Sequence, residues 1–171
     1  LFTNLKLLDR SKFHPIVLLP KEGPILPVLD KLGISYVLWG RQHEPEGVFG
    51  YLRNIMKSMQ FYRKNRVDLL PINHANYWRP AAVVAAKLLG IPIVTHYHVV
   101  VHQPGPFVKY STCIAAVSRY TAEHSLPAAI PKTVIHNSVD VNRYDNAKNI
   151  RDELKLDGDD VVVSFIGQIR D

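Results

Sequence analysis

Residues 91–102 read Ile91-Pro92-Ile93-Val94-Thr95-His96-Tyr97-His98-Val99-Val100-Val101-His102. The run is apolar and rich in β-branched residues, and Gly90 closes an Ala-rich stretch just before it. Such a run is predicted to be a strand over 91–98, buried on both faces as in a parallel sheet. Side chains alternate across an extended chain, so His96 and His98 point to the same side. A His-x-His pair on a strand suits a metal ion. It equally suits a buried strand whose last residues open into a binding crevice.

Working outward from this strand, short apolar runs alternate with helical patterns. Strands are predicted over 14–20, 34–39, 67–74, 112–117 and 132–136. Between them lie a short helix over 26–32 ended by Gly33, a long helix over 49–66, an Ala-rich helix over 78–89 and a Ser118-capped helix reaching His124. This alternation predicts an α/β fold: a Rossmann-like, mostly parallel sheet with helices on both faces. Beyond Asn137 the chain turns polar. A short helix is predicted over 150–156, a turn at Gly158-Asp159-Asp160 and a further strand over 161–166.

The composition, 47% hydrophobic and 21% charged over 171 residues, allows a sizeable core. The single cysteine, Cys113, lies in an apolar run and reads as a small core residue, which fits a reducing, cytoplasmic compartment. No segment approaches the roughly 20 apolar residues that span a bilayer. The opening LFTNLKLLDR has helical spacing, not that of a signal peptide, and lacks an initiator Met, so the chain is expected to be part of a longer one. The net charge is +6, and no acidic residue occurs between Asp68 and Glu123. A surface built from that interval favours anions.

The acid-free interval also bears on the histidines. Zinc and iron sites draw three or four ligands from His, Cys, Asp and Glu, with carboxylates often orienting the histidines. His96 and His98 supply two ligands, and no carboxylate lies near them in sequence, so no metal is assigned. Two predicted strands end in histidine, at His74 and at His98, and parallel sheets bind ligands outside the carboxyl ends of their strands. His74 leads into a polar and aromatic loop holding Asn76 and Arg79. The helix over 49–66 carries Arg53, Lys57, Arg63, Lys64 and Arg66 around a stripe of Leu52, Ile55, Met56, Met59 and Tyr62. The stripe is assigned to the core and the basic residues to a solvated face, with docking to a membrane surface as the alternative. Neither nucleic-acid signatures nor the phosphate-loop and nucleophile-elbow motifs occur, so no nucleic-acid partner is expected.

Six segments together resemble the family 4 glycosyltransferases of the GT-B type, which pair two Rossmann-like domains. They are Pro20-Lys21-Glu22-Gly23-Pro24, Asn73-His74-Ala75-Asn76, Leu88 through His98, Ala116 through Thr121, Val134 through Asp140, and Val163 through Ile169. Two positions depart from the family pattern. Ser138 stands where Gly is usual, and Gln168 stands where many members place an Arg. The resemblance implies an acceptor-binding N-terminal domain over 1–140 lacking its first strand, a linker over 141–160, and the first strand of a truncated donor-binding domain over 161–171.

The resemblance further implies a retaining transfer of sugar from a nucleoside-diphosphate donor to an acceptor hydroxyl, with no metal and no cofactor beyond that donor substrate. It assigns the catalytic position to His98. Substrate contacts fall to His74, Asn76 and Arg79 on the acceptor side and to Gly167 and Gln168 on the donor side. The acceptor is expected to be a saccharide or a lipid-linked one, with contact of the helix over 49–66 to the inner membrane face as the alternative to a solvated basic face. The fragment alone is expected to be inactive. A non-catalytic Rossmann-like module binding a small anion, or a sugar-nucleotide epimerase domain, would share these elements.

Overall fold

The computed structural model describes residues 2–39, 47–73, 80–138 and 151–163. The chain divides into two compact units, 1–138 and 139–171. In the first, strands and helices alternate: α1 (Phe2–Leu7), β1 (Ile16–Leu19), α2 (Leu26–Lys31), β2 (Ser35–Leu38), α3 (Gly47–Lys64), β3 (Leu70–Ile72), α4 (Pro80–Leu88), β4 (Ile93–Tyr97), β5 (Cys113–Ala116), α5 (Arg119–His124) and β6 (Lys132–Val134). A 3₁₀ turn, Pro106–Tyr110, lies between β4 and β5 and was not anticipated from the sequence.

Every strand pairing among the described residues is parallel. The strands form a two-stranded sheet, β1-β2, and a four-stranded sheet in the order β3-β4-β5-β6. The α/β class expected from the alternation therefore holds, divided between two sheets. Element ends follow local chemistry. Gly33 and Gly90 adopt φ of +61° and +70° where α2 and α4 stop, a conformation that costs glycine little. The Ser118 side chain accepts the Thr121 backbone N–H at 3.0 Å, capping α5 as its sequence predicts.

The main core lies where α3 and α4 meet β4. Ala81, Ala82, Ala85 and Ala86 are buried on α4, and their small side chains let α3 approach closely enough to insert Ile55 and Tyr62. Tyr62 is 2% exposed and donates its hydroxyl to the Ala82 carbonyl at 3.3 Å, so the buried phenol is not left unpaired. A second cluster joins Tyr97, Val108 and Ile114. Trp39, just past β2, meets Phe61 of α3 edge to face, with ring centroids 4.8 Å apart.

The stripe assigned to α3 divides in two. Ile55 and Tyr62 are buried and Met59 is half-buried, whereas Leu52 and Met56 are exposed. With Phe49, which is 89% exposed, they form a separate apolar strip at i, i+3, i+7 on the side away from the core. The sequence stripe merged two neighbouring faces of one helix.

In the second unit, 151–155 forms turns and not the helix expected there. Arg151 explains the difference. Its guanidinium donates to the carbonyls of Asp157 and Asp160 at 2.6 and 3.0 Å, and the Asp157 N–H bonds the Asp160 carboxylate at 2.7 Å. The segment thus folds back around its own Asp-rich turn. Val161 to Val163, the described part of the strand expected over 161–166, is not in a ladder. Strand propensity alone does not make a strand, and among the described residues none pairs with this segment.

Candidate functional site

The parallel register decides which side chains share a side of the four-stranded sheet. Ile72 pairs with Thr95, and Thr95 with Ile114. Leu70, Ile72, Ile93, Thr95, Tyr97, Ile114 and Ala116 therefore share one side, where β4 is fully buried. Pro71, Asn73, Val94, His96, Cys113 and Ala115 take the other. Continuing the register by one residue sets Asn73, at the carboxyl end of β3, beside His96. Ala115 is the β5 partner of His96, and its single methyl leaves room for the imidazole.

The three polar residues converge. Asn73 Oδ1 lies 3.2 Å from His96 Nδ1 and 2.8 Å from His98 Nε2. The two imidazole rings are 4.2 Å apart between centroids, tilted by 48°. His98 is exposed and His96 half-buried, so the pair runs from sheet interior to surface in two residues. His96 Nε2 is buried and has no hydrogen-bond partner among the described residues. Burial, followed by the neighbouring His98, holds the His96 pKa below its ordinary value of 6.5 and favours the neutral ring.

The placement bears out the expected common side for His96 and His98, and sets His96 the deeper of the two. His102 is exposed in the loop beyond β4. His74, Asn76, Arg79, Gly167 and Gln168, all expected in the site from sequence, lie outside the described residues. Other histidines are engaged locally: His124 donates to the Tyr120 carbonyl at 2.9 Å and His136 to the Val117 carbonyl at 3.1 Å. Among the described residues, no group of three or more His, Cys, Asp or Glu side chains is placed to hold a metal ion. No helix among them is long and apolar enough to cross a membrane.

Asn73 is the site residue that sequence reasoning missed. It was quoted only as part of the strand end preceding His74. Its signal is positional: it stands one residue past β3, on the side that the register gives to His96, 23 residues away. A site of this kind, a carbonyl oxygen shared by two adjacent imidazoles at the carboxyl end of parallel strands, can exchange hydrogen bonds with a polar ligand.

Comparisons with known proteins place this geometry in context. The family model described as Glycosyltransferase Family 4 matches residues 5–143. A glycosyltransferase from Rickettsia africae is similar in structure, with a TM-score of 0.66 and 23% identity over 90% of this chain and 43% of that one. Anabaena HepE, solved in complex with UDP, gives a TM-score of 0.60 and 19% identity over 82% of this chain and 42% of its own. MurG from Acinetobacter baumannii gives 0.53 and 20% identity over 71% of this chain and 36% of its own. The chain thus spans less than half the length of each. No curated protein sequence matches it.

Proposed function

The chain belongs to glycosyltransferase family 4, and from that premise we propose that it forms the acceptor-side domain of an enzyme moving a sugar from a nucleoside-diphosphate donor to an acceptor hydroxyl, with retention of configuration. The observation that carries this reading is the placement of His98 and its partners at the carboxyl edge of β3 and β4. HepE, a structure similar to this one, is described with UDP bound. Glycosyl transfer requires stabilised leaving-group charge and a hydroxyl held beside the anomeric carbon, which is largely positioning and electrostatics. In this reading the His98 imidazole holds the transferred sugar by a hydrogen bond. His74, Asn76 and Arg79 contact the acceptor, and Gly167 and Gln168 serve the donor diphosphate. Neither a metal nor a cofactor is required for these roles.

The test is His98→Ala in the complete protein, assayed by transfer from a panel of nucleoside-diphosphate sugars. Turnover is expected to fall about 10²-fold, as for loss of one transition-state hydrogen bond, with the unfolding midpoint unmoved. Unchanged turnover removes His98 from the reaction. The 171-residue chain alone is expected to transfer no sugar, because it spans less than half the length of the similar enzymes.

The outward strip on α3 favours a lipid-borne acceptor. Phe49, Leu52 and Met56 face away from the core, Arg53 and Lys57 flank them, and the helix contains no acidic residue. Apolar side chains beside cations suit the interface of an anionic bilayer. Co-sedimentation with vesicles of anionic lipid, lost in Phe49→Ser/Met56→Ser and absent with zwitterionic vesicles, is the expected outcome. Equal binding by the double variant sinks the lipid assignment.

A further inference from the structure

We propose that Asn73 is a positioning residue that fixes the tautomers of His96 and His98, so that His98 turns a bare Nδ1 outward to accept a hydrogen bond from a ligand hydroxyl. A carbonyl oxygen only accepts. Both nitrogens that face Asn73 Oδ1, His96 Nδ1 at 3.2 Å and His98 Nε2 at 2.8 Å, must therefore carry hydrogen. A neutral imidazole carries one such hydrogen. Donation to Asn73 thus commits His96 to the Nδ1–H form and His98 to the Nε2–H form, and leaves His96 Nε2 and His98 Nδ1 as lone pairs.

The burial pattern agrees with that assignment and separates the two rings by task. His96 Nε2 is enclosed and meets no partner among the described residues, so His96 acts as a buried anchor, with its single proton directed at Asn73. His98 is exposed, and its bare nitrogen is the one a ligand can approach. The class of ligand follows. With both ring N–H groups spent on Asn73, the neutral pair offers acceptors and suits the hydroxyl of a sugar or polyol. A phosphate needs donors, which the pair in this state does not provide. The cationic character expected from the acid-free interval must then come from other residues.

The consequence for turnover rests on the role of His98 in sugar transfer proposed above, whereas the tautomer assignment does not. Long-range ¹H–¹⁵N correlation of the imidazole nitrogens in the full chain, at about pH 8 where ordinary histidines are neutral, reads the tautomers directly. The expected spectrum shows His96 protonated at Nδ1 and His98 at Nε2. In Asn73→Ala the His98 signals shift toward a mixture of tautomers, and in Asn73→Asp, which restores an acceptor oxygen, they return. Nδ1–H on His98 in the unaltered chain, which an Asn73 amide turned nitrogen-first would produce, overturns the proposal, as does an unchanged spectrum in Asn73→Ala. In the complete protein, Asn73→Ala is expected to lower kcat on the order of 10²-fold with little change in the unfolding midpoint, and Asn73→Asp to recover most of it. A tautomer shift without loss of kcat leaves the lock standing and removes His98 from the transfer step.

Discussion

The two sides of β4 are built from alternate residues of one five-residue strand, yet they follow different rules. On one side Ile93, Thr95 and Tyr97 are at most 1% exposed. Their polar atoms are paired: the Thr95 hydroxyl meets that of Ser111 at 2.7 Å, and the Tyr97 hydroxyl donates to the Leu126 carbonyl at 3.0 Å. On the other side Val94 and His96 are half-buried, His98 just beyond is exposed, and one buried nitrogen has no partner among the described residues. A core satisfies its polar groups because an unpaired one costs about 1–3 kcal/mol. In the proposed site, some of that capacity is held in reserve for a ligand. The contrast teaches that stability and recognition can be assigned to opposite faces of one strand.

Substitutions that cross this division provide its tests. The largest expected effect is Tyr97→Ala, which opens a cavity in the cluster with Val108 and Ile114 and should cost about 3–5 kcal/mol in urea unfolding, as other buried aromatic truncations do. Thr95→Val removes the hydroxyl pair with Ser111 while keeping the volume close to native, and about 1–2 kcal/mol is expected. A loss under about 0.5 kcal/mol in both would erase the distinction between the sides.

The next test concerns pH. The folded chain holds the His96 pKa below 6.5 through burial. In the interval between that depressed value and 6.5, the unfolded chain binds a proton that the folded chain does not. Stability is therefore complete above 6.5, falls as the pH drops through the interval, and levels off beneath the folded pKa. His96→Gln should flatten this contribution in urea midpoints measured from pH 8 to pH 4, and an unchanged slope would contradict the burial argument. The smallest effect is on the exposed residue: His98→Gln should alter stability by less than about 0.5 kcal/mol, whatever it does to activity. A larger loss would move His98 to the structural side.

Much of this was legible beforehand. Period-2 alternation placed His96 and His98 on one side, and the glycines at 33 and 90 marked helix ends that the backbone angles match. Asn73 was not legible in this role, because its partnership with residues 96 and 98 depends on how two strands separated by α4 align. No local pattern encodes that alignment. The α3 stripe failed for a related reason. Residues at i+3 and i+4 flank a helix face on either side, so Ile55 and Met56, adjacent in sequence, can serve the core and the solvent respectively. Around residue 151 the helical propensity of the segment lost to Arg151, which gathers the carbonyls of Asp157 and Asp160.

The parallel register has a consequence for how such a surface can change over generations. In β4 the parity of a residue number decides whether a substitution meets the buried side or the half-buried side that carries the histidines. A single-residue insertion or deletion between Gly90 and Ile93 would exchange the two sets, sending histidines inward and tyrosine out, and selection should reject it. Point substitutions at 94, 96 and 98 leave the inner set untouched. The strand is thus closed to length variation but open to chemical variation, and the chemistry of its outer side lies one codon change away without a detour through an unfolded ancestor.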